Sequence, residues 1–409
     1  MRKIFHILLF TFFCLQVLPA NPEIRKIQSG GFEREYLIYI PEKYNASNPS
    51  GLIVCLHGFN RTMNDFFENY NITGIAESLN MIVIAPQALP EKSNDVLNKF
   101  DDVKKLGINM PLSLDAVWGC GLQVKATLVG LKVLDVVLNE GIDDVSFINQ
   151  LITETEQNYN IITENKFIFG TSMGGYMSYQ YALYNGNRLS GLINICGSMG
   201  TAIKNTNATV KIPVCDFHSV DDEVVPYNGS SNIAPLINVS FCQKKGDVIN
   251  FWVNKNSANP IPTVENLNYY PSTTGFSATK YTYSGEKDVI HYKITGASHS
   301  YFFKKETDCM DHVEEVAKFI TAHSKDIDSG NDAFTQHKQL EIYPNPVVGP
   351  LINLNVEKGL ATIYNFNGQK VFYGTFENGI INIGTLQRGI YFISITAGND
   401  IYQGKLIVR

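Results

Sequence analysis

The chain has 409 residues, 44% of them apolar and 18% charged, which is enough for one large domain and a smaller one and excludes wholesale disorder. The formal net charge is −6. A weakly acidic chain lacks the basic face needed to neutralise phosphates, so no nucleic-acid partner is expected.

Met1-Arg2-Lys3 is a short basic start, followed by an apolar run from Ile4 to Leu18 and by Ala20, a small residue suited to cleavage. This reads as a secretory signal peptide over residues 1–20, too short for a comfortable membrane span. The alternative is an uncleaved anchor. No other stretch is long and apolar enough to cross a bilayer, and no stable membrane span is expected.

From about Glu35 to Ser324, short β-branched runs alternate with longer segments of helical period, which predicts a parallel sheet with crossover helices. Strands are expected at Tyr36–Tyr39, Leu52–Leu56, Met81–Ala85, Lys166–Phe169, Gly191–Cys196, Pro213–His218 and Val289–Ile294. Helices are expected at Thr62–Leu79, Asp143–Asn158, Gly174–Tyr184 and Asp308–His323. The segments Asp101–Gly141 and Asn254–Glu286 read as loops over the mouth of the site. A polar stretch over 326–339 reads as a linker. From residue 340 to 409 only short alternating strands remain, separated by Gly and Asn turns, which predicts a small all-β sandwich.

Six cysteines follow the leader: Cys55, Cys120, Cys196, Cys215, Cys242 and Cys309. Cys55, Cys196 and Cys215 sit in apolar runs and read as small buried hydrophobes. Cys242 and Cys309 are the better candidates for a bridge in an exported chain. No spacing resembles a metal site, and no cofactor is expected.

The chemistry concentrates at Gly170-Thr171-Ser172-Met173-Gly174, between a strand and a helix. G-x-S-x-G is a nucleophile elbow: the turn is too tight for a Cβ at its flanks, and it lifts the serine oxygen above the sheet edge. The pattern alone is weak; its placement is informative. A serine hydroxyl needs a base, and the base needs an orienting carboxylate. The order Ser, then Asp or Glu, then His, each after a later strand, picks out Asp222 and His299. Asp221 and Glu223, beside Asp222, read as solvated loop carboxylates.

The developing oxyanion needs two backbone N–H donors. Met173 supplies one. The turn His57-Gly58-Phe59-Asn60 after an early strand supplies the other, at Phe59 with Asn60 as fallback. His57 precedes the nucleophile in the chain, which favours a structural role in the turn. Asn60 and Trp118 are candidate substrate-pocket residues, and Trp118 could equally pack beneath a loop. Trp252 reads as a helix-face core residue.

With these residues in view, about Ser29 to Lys325 resembles the α/β-hydrolase esterases grouped with polyhydroxybutyrate depolymerases, feruloyl esterases and acetylxylan esterases. LIVCLHG, GTSMGGYMSY, IPVCDFHSVDDEVVPY and YKITGASH carry the likeness, with Asp143-Asp144-Val145 opening the helix before the elbow. The resemblance implies an α/β-hydrolase with a mostly parallel sheet over 29–325, with Asp222 as catalytic acid and His299 as base. Phe59 and Asn60 depart from the small residues usual there, and Ser219-Val220 replaces the usual Gly-Thr. YPNPVVGPLINL, YNFNGQKV, LQRGIYFISI and the final KLIVR resemble the sorting domain of type IX secretion substrates in Bacteroidetes. A carbohydrate-binding sandwich is the alternative, though no aromatic platform is evident.

These resemblances imply a secreted serine ester hydrolase acting on polysaccharide-linked or polymeric esters, with the type IX machinery as partner. A feruloyl or acetyl xylan esterase is the leading expectation. A polyester depolymerase or general carboxylesterase comes next, then a prolyl-oligopeptidase-type peptidase or a non-catalytic adhesin.

Overall fold

A computed structural model describes residues 22–105, 113–203, 210–234, 237–325, 337–365, 370–397 and 400–409. The expected signal peptide and most of the expected linker lie outside these residues. The chain divides into two compact units, Met1–Ile327 and Asp328–Arg409.

In the first unit the elements run β1 (Glu23–Ser29), β2 (Phe32–Tyr39), β3 (Ser50–Leu56), α1 (Asp65–Asn69), α2 (Ile72–Leu79), β4 (Met81–Pro86) and α3 (Asn94–Lys105). Then come β5 (Gln123–Leu128), β6 (Leu131–Val137), α4 (Asp144–Asn158), β7 (Ile161–Thr171), α5 (Met173–Asn185), β8 (Gly191–Ile195) and β9 (Val214–Ser219). The unit closes with β10 (Ser230–Ala234), β11 (Ile237–Ser240), α6 (Lys245–Lys255), β12 (Thr263–Leu267), β13 (Ser277–Tyr283), β14 (Val289–Thr295) and α7 (His312–His323).

Ten strands form one sheet in the order β1-β2-β4-β3-β7-β8-β9-β14-β13-β12. The six from β4 to β14 are mutually parallel, and antiparallel pairs flank them on both sides. Central parallel strands are covered on both faces, so their sequences are unbroken apolar runs. SGLIVCL in β3 and MIVIAP in β4 are buried at every position. After β3 the chain moves outward to β4, then returns on the other side to β7. In open α/β sheets, ligands bind beyond the carboxyl ends of the strands at such a switch point. The turn after β3 and Ser172 after β7 both lie at that edge.

The structure differs from the sequence expectations in places. Thr62–Leu79 is two helices, because Tyr70-Asn71 breaks it and Asn71 is left-handed at φ 47°. Asparagine tolerates that conformation far better than a bulky residue. Within Asn254–Glu286, β12 and β13 extend the main sheet by antiparallel pairing rather than forming only a loop. Within Asp101–Gly141, β5 and β6 form a hairpin in a second sheet, β10-β11-β5-β6. Short half-buried strands of mixed composition carry too weak a period to be read from sequence. The six cysteines from Cys55 to Cys309 are all free and buried, so Cys242 and Cys309 form no bridge. The Cys242 Sγ instead packs 3.6 Å from the Pro226 carbonyl.

The second unit holds β15 (His337–Gln339), β16 (Ile342–Tyr343), β17 (Leu351–Leu354), β18 (Gly359–Asn365), β19 (Lys370–Phe376), β20 (Ile380–Asn382), β21 (Gly389–Ala397) and β22 (Asp400–Val408). They make a five-stranded and a three-stranded sheet. Ile352 and Ile381 from the smaller sheet share one core with Ile363, Ile393 and Leu406 from the larger. Residues 337–339, expected in the linker, pair with β22 and belong to this unit.

Candidate active site

The elbow between β7 and α5 is built by sterics. Ser172 has φ 51° and ψ −122°, a strained conformation for an L-residue. The glycines around it permit close approach. A Cβ on Gly170 would lie 2.2 Å from the Gly174 carbonyl oxygen, and one on Gly174 would lie 1.8 Å from the Leu56 carbonyl oxygen. A Cβ on Gly175 would lie 1.8 Å from Asn194 Oδ1. The sharp turn therefore drives the first turn of α5 against the end of β3.

Two later strand ends converge on this serine. The Ser172 hydroxyl is 2.9 Å from His299 Nε2, positioned to donate to it. His299 Nδ1–H donates to Asp222 Oδ2 at 2.8 Å. The other Asp222 oxygen accepts the Val224 and Val225 N–H groups at 2.9 and 2.7 Å. This is the geometry of a serine–histidine–carboxylate relay. The carboxylate is buried, which by itself would raise its pKa. Hydrogen bonds from His218 and His299 outweigh that, and Asp222 is held below the usual carboxylate range. Burial pulls the His299 imidazolium down, but the Cys196 sulfur and the Asp222 carboxylate raise it further, leaving it above the ordinary histidine range.

Asp221 and Glu223 are exposed, yet they are more than solvated charges. Asp221 Oδ2 accepts the Gly296 N–H at 2.7 Å and Glu223 Oε2 accepts the His299 N–H at 3.2 Å. All three consecutive carboxylates thus fasten the His299 loop.

The turn after β3 is held from several sides. His57 is buried, its Nδ1–H donates to the Gly58 carbonyl at 2.7 Å, and its Nε2 accepts the Ala88 N–H at 3.0 Å. Burial lowers its pKa to about 4, so it stays neutral. Trp118 is completely buried and its Nε1–H donates to the His57 carbonyl at 2.9 Å. It pins the turn from beneath. Asn60 is also committed to the scaffold. Its N–H donates to Ala116, and its Oδ1 accepts the Asp115 and Ala116 N–H groups at 3.0 and 3.2 Å. The fallback oxyanion donor is therefore already spent, whereas no acceptor holds the Phe59 N–H among the described residues. Met173 begins α5, where the N–H has no intrahelical partner.

Sequence reasoning missed three features around this centre. His218 Nε2 donates to the Val225 carbonyl at 2.9 Å and lies 3.3 Å from Asp222 Oδ2, a second hold on the acid. Behind it, buried Asp216 meets Lys245 Nζ at 2.7 Å, His291 Nδ1 at 2.8 Å and the Tyr179 hydroxyl at 2.7 Å. A charge inside the apolar run PVCDFHS was the available signal. Cys196, at the end of β8, brings its Sγ to 4.0 Å from His299 Nε2.

The crossover order of the sheet and the three strand ends that meet at Ser172 decide the fold. The first unit has the α/β-hydrolase fold. Residues 139–250 match the family described as phospholipase/carboxylesterase. Residues 341–409, within the second unit, match the family described as secretion system C-terminal sorting domain.

A bifunctional acetylxylan esterase/xylanase from Neocallimastix patriciarum is 24% identical over 164 residues, 39% of this chain and 22% of that protein. A probable feruloyl esterase C from Aspergillus niger is 23% identical over 207 residues, 49% of this chain and 59% of that protein. The chain thus spans less than two thirds of either relative's length. Among solved structures, an acetyl xylan esterase from Aspergillus awamori superposes with a TM-score of 0.45 at 15% identity, covering 73% of this chain and 99% of that one. A ferulic acid esterase from Anaeromyces mucronatus, in complex with ferulic acid, gives 0.42 at 14% identity, covering 70% and 87%. No helix among the described residues is long and apolar enough to cross a membrane.

Proposed function

We propose that this α/β-hydrolase is a secreted serine ester hydrolase that removes feruloyl or acetyl groups from plant cell-wall polysaccharide. The observation that carries the proposal is the unbroken line from Ser172 Oγ to His299 Nε2, 2.9 Å, and from His299 Nδ1 to Asp222, 2.8 Å.

In this reading Ser172 Oγ attacks the ester carbonyl carbon while its proton passes to His299 Nε2. The carbonyl oxygen becomes an oxyanion between the Phe59 and Met173 N–H groups, each worth about 3 kcal/mol of transition-state stabilisation. The tetrahedral intermediate collapses, and the departing alcohol takes the proton from His299. Water, activated by the same base, then releases the acid from the acyl-enzyme.

The sorting module and the apolar leader support export, first by a signal peptide over residues 1–20 and then across the outer membrane by the type IX machinery. The two curated relatives support plant-wall acyl groups over polyesters.

The test is Ser172→Ala, with turnover of p-nitrophenyl acetate as the readout and circular dichroism as the folding control. The expected loss is about 10⁴-fold or more. Retained turnover in the folded variant sinks the mechanism. Methyl ferulate, acetylated xylan and polyhydroxybutyrate, assayed side by side on the wild type, decide the substrate; polyester turnover alone would replace the wall-ester reading.

A further inference from the structure

The geometry points to a second role for the catalytic histidine: with Cys196 it forms a chelating site for a thiophilic divalent cation such as Zn²⁺, and occupancy switches the enzyme off.

Cys196 directly follows β8, the strand between those that lead to Ser172 and Asp222. Its backbone is left-handed at φ 49°. Its Sγ lies 4.0 Å from His299 Nε2 and 3.2 Å from Ser300 Oγ. One ligand atom each from Cys196, His299 and Asp222 falls within 4.8 Å of the others. Zinc takes sulfur at about 2.3 Å and imidazole nitrogen at about 2.0 Å, and a tetrahedral angle then sets those ligands about 3.5 Å apart. A movement of a few tenths of an ångström closes the observed gap.

The imidazole is already arranged as a metal ligand. Asp222 holds Nδ1–H at 2.8 Å and directs the Nε2 lone pair outward. A carboxylate on the far nitrogen of a ligating histidine is the usual outer support of zinc sites. Ser172 Oγ, 2.9 Å from the same nitrogen, offers an oxygen ligand or gives way to water.

Binding forms a bond from the metal to Sγ and one to Nε2. The thiol proton goes to solvent, and no electron is transferred. The lone pair that should accept the Ser172 proton is then committed to the metal. The inhibition rests on His299 being the base; the binding itself does not.

Two measurements on the full-length purified protein test this. Zinc chloride is titrated against p-nitrophenyl acetate turnover in the wild type and in Cys196→Ala, each at its own optimal pH, with EDTA added back. The wild type is inhibited reversibly, and Cys196→Ala requires about tenfold more zinc or higher for the same inhibition. Cobalt(II) is then titrated into the wild type, Ser172→Ala and Cys196→Ala, and the thiolate-to-cobalt charge-transfer band is read in the near ultraviolet. The band appears in the first two and is absent from the third. Because Ser172→Ala is read by absorbance, the metal site is tested even if the esterase reading fails. If Cys196→Ala does not fold, Cys196→Ser takes its place in both titrations. Equal zinc sensitivity with and without the thiol, or no thiolate band in the wild type, overturns the proposal.

Discussion

His299 Nε2 and Ser172 Oγ meet at 2.9 Å although 127 positions separate them in the chain. Parallel strands bring them together. β7 delivers the serine and β14 the histidine to the same edge of the sheet, and β8 and β9 between them set the spacing. The acid loop after β9 then closes the relay with Asp222.

That relay has a defined pH signature. His299 must be neutral to take the serine proton, and its pKa lies above the ordinary value of about 6.5. In the wild type, kcat/KM therefore climbs with pH along a limb centred above that value. Asp222→Asn keeps an acceptor oxygen but removes the negative charge that helps to raise His299. The limb moves toward lower pH, and kcat falls by about 10⁴-fold. A pH–rate profile of both proteins checks the two effects together; an unmoved limb would mean that Asp222 does not act on His299.

Trp118 offers a test that separates scaffold from pocket. Its Nε1–H is bonded to the His57 carbonyl, on the turn that carries the Phe59 N–H. Trp118→Phe keeps most of the buried ring and loses the hydrogen bond, worth about 1 kcal/mol. Turnover should fall by a similar factor for acetyl, butyryl and feruloyl esters, with KM little changed. A loss that grows or shrinks with acyl size would show instead that Trp118 touches the acyl chain.

Lys245 neutralises a charge buried behind the acid loop. Its Nζ is 2.7 Å from Asp216 Oδ1, and both side chains are fully buried. Burial would raise the Asp216 pKa, but Lys245 and His291 hold it below the usual range. Lys245→Met leaves that carboxylate without its closest cation and should cost about 3 kcal/mol in urea unfolding at neutral pH. A carboxyl depressed in the folded state adds stability above its unfolded pKa and loses it as pH falls. The gap between wild type and variant should therefore narrow below about pH 4. A gap independent of pH would trace the loss to packing alone.

Much of the hydrolase core was legible from local pattern. β3, β4 and the Phe167–Phe169 stretch of β7 are apolar runs because both faces of a central parallel strand are covered, and the elbow announces itself because only glycine fits at 170, 174 and 175. The edge elements were not legible. β12, with four exposed residues out of five, has no apolar period to betray it. Trp118 shows the same limit at a single residue: its sequence neighbours are compatible with a pocket wall or with a buried prop, and only the structure reveals the His57 carbonyl 2.9 Å from its Nε1.

The sequence by itself determined the order of chemistry along the chain: a tight turn with a serine, a later carboxylate loop, a later histidine, and a terminal run of short strands with a sorting signature. These depend on residues close together in the chain, where sterics and side-chain period act. Tertiary structure alone decided what the neighbours of that chemistry do. It turned Asp221 and Glu223 from solvated charges into ties on the His299 loop, left Cys242 and Cys309 unbridged, and set the Cys196 sulfur beside the base. Each of these is a contact across strands, and its distance is fixed by the packing of the whole sheet.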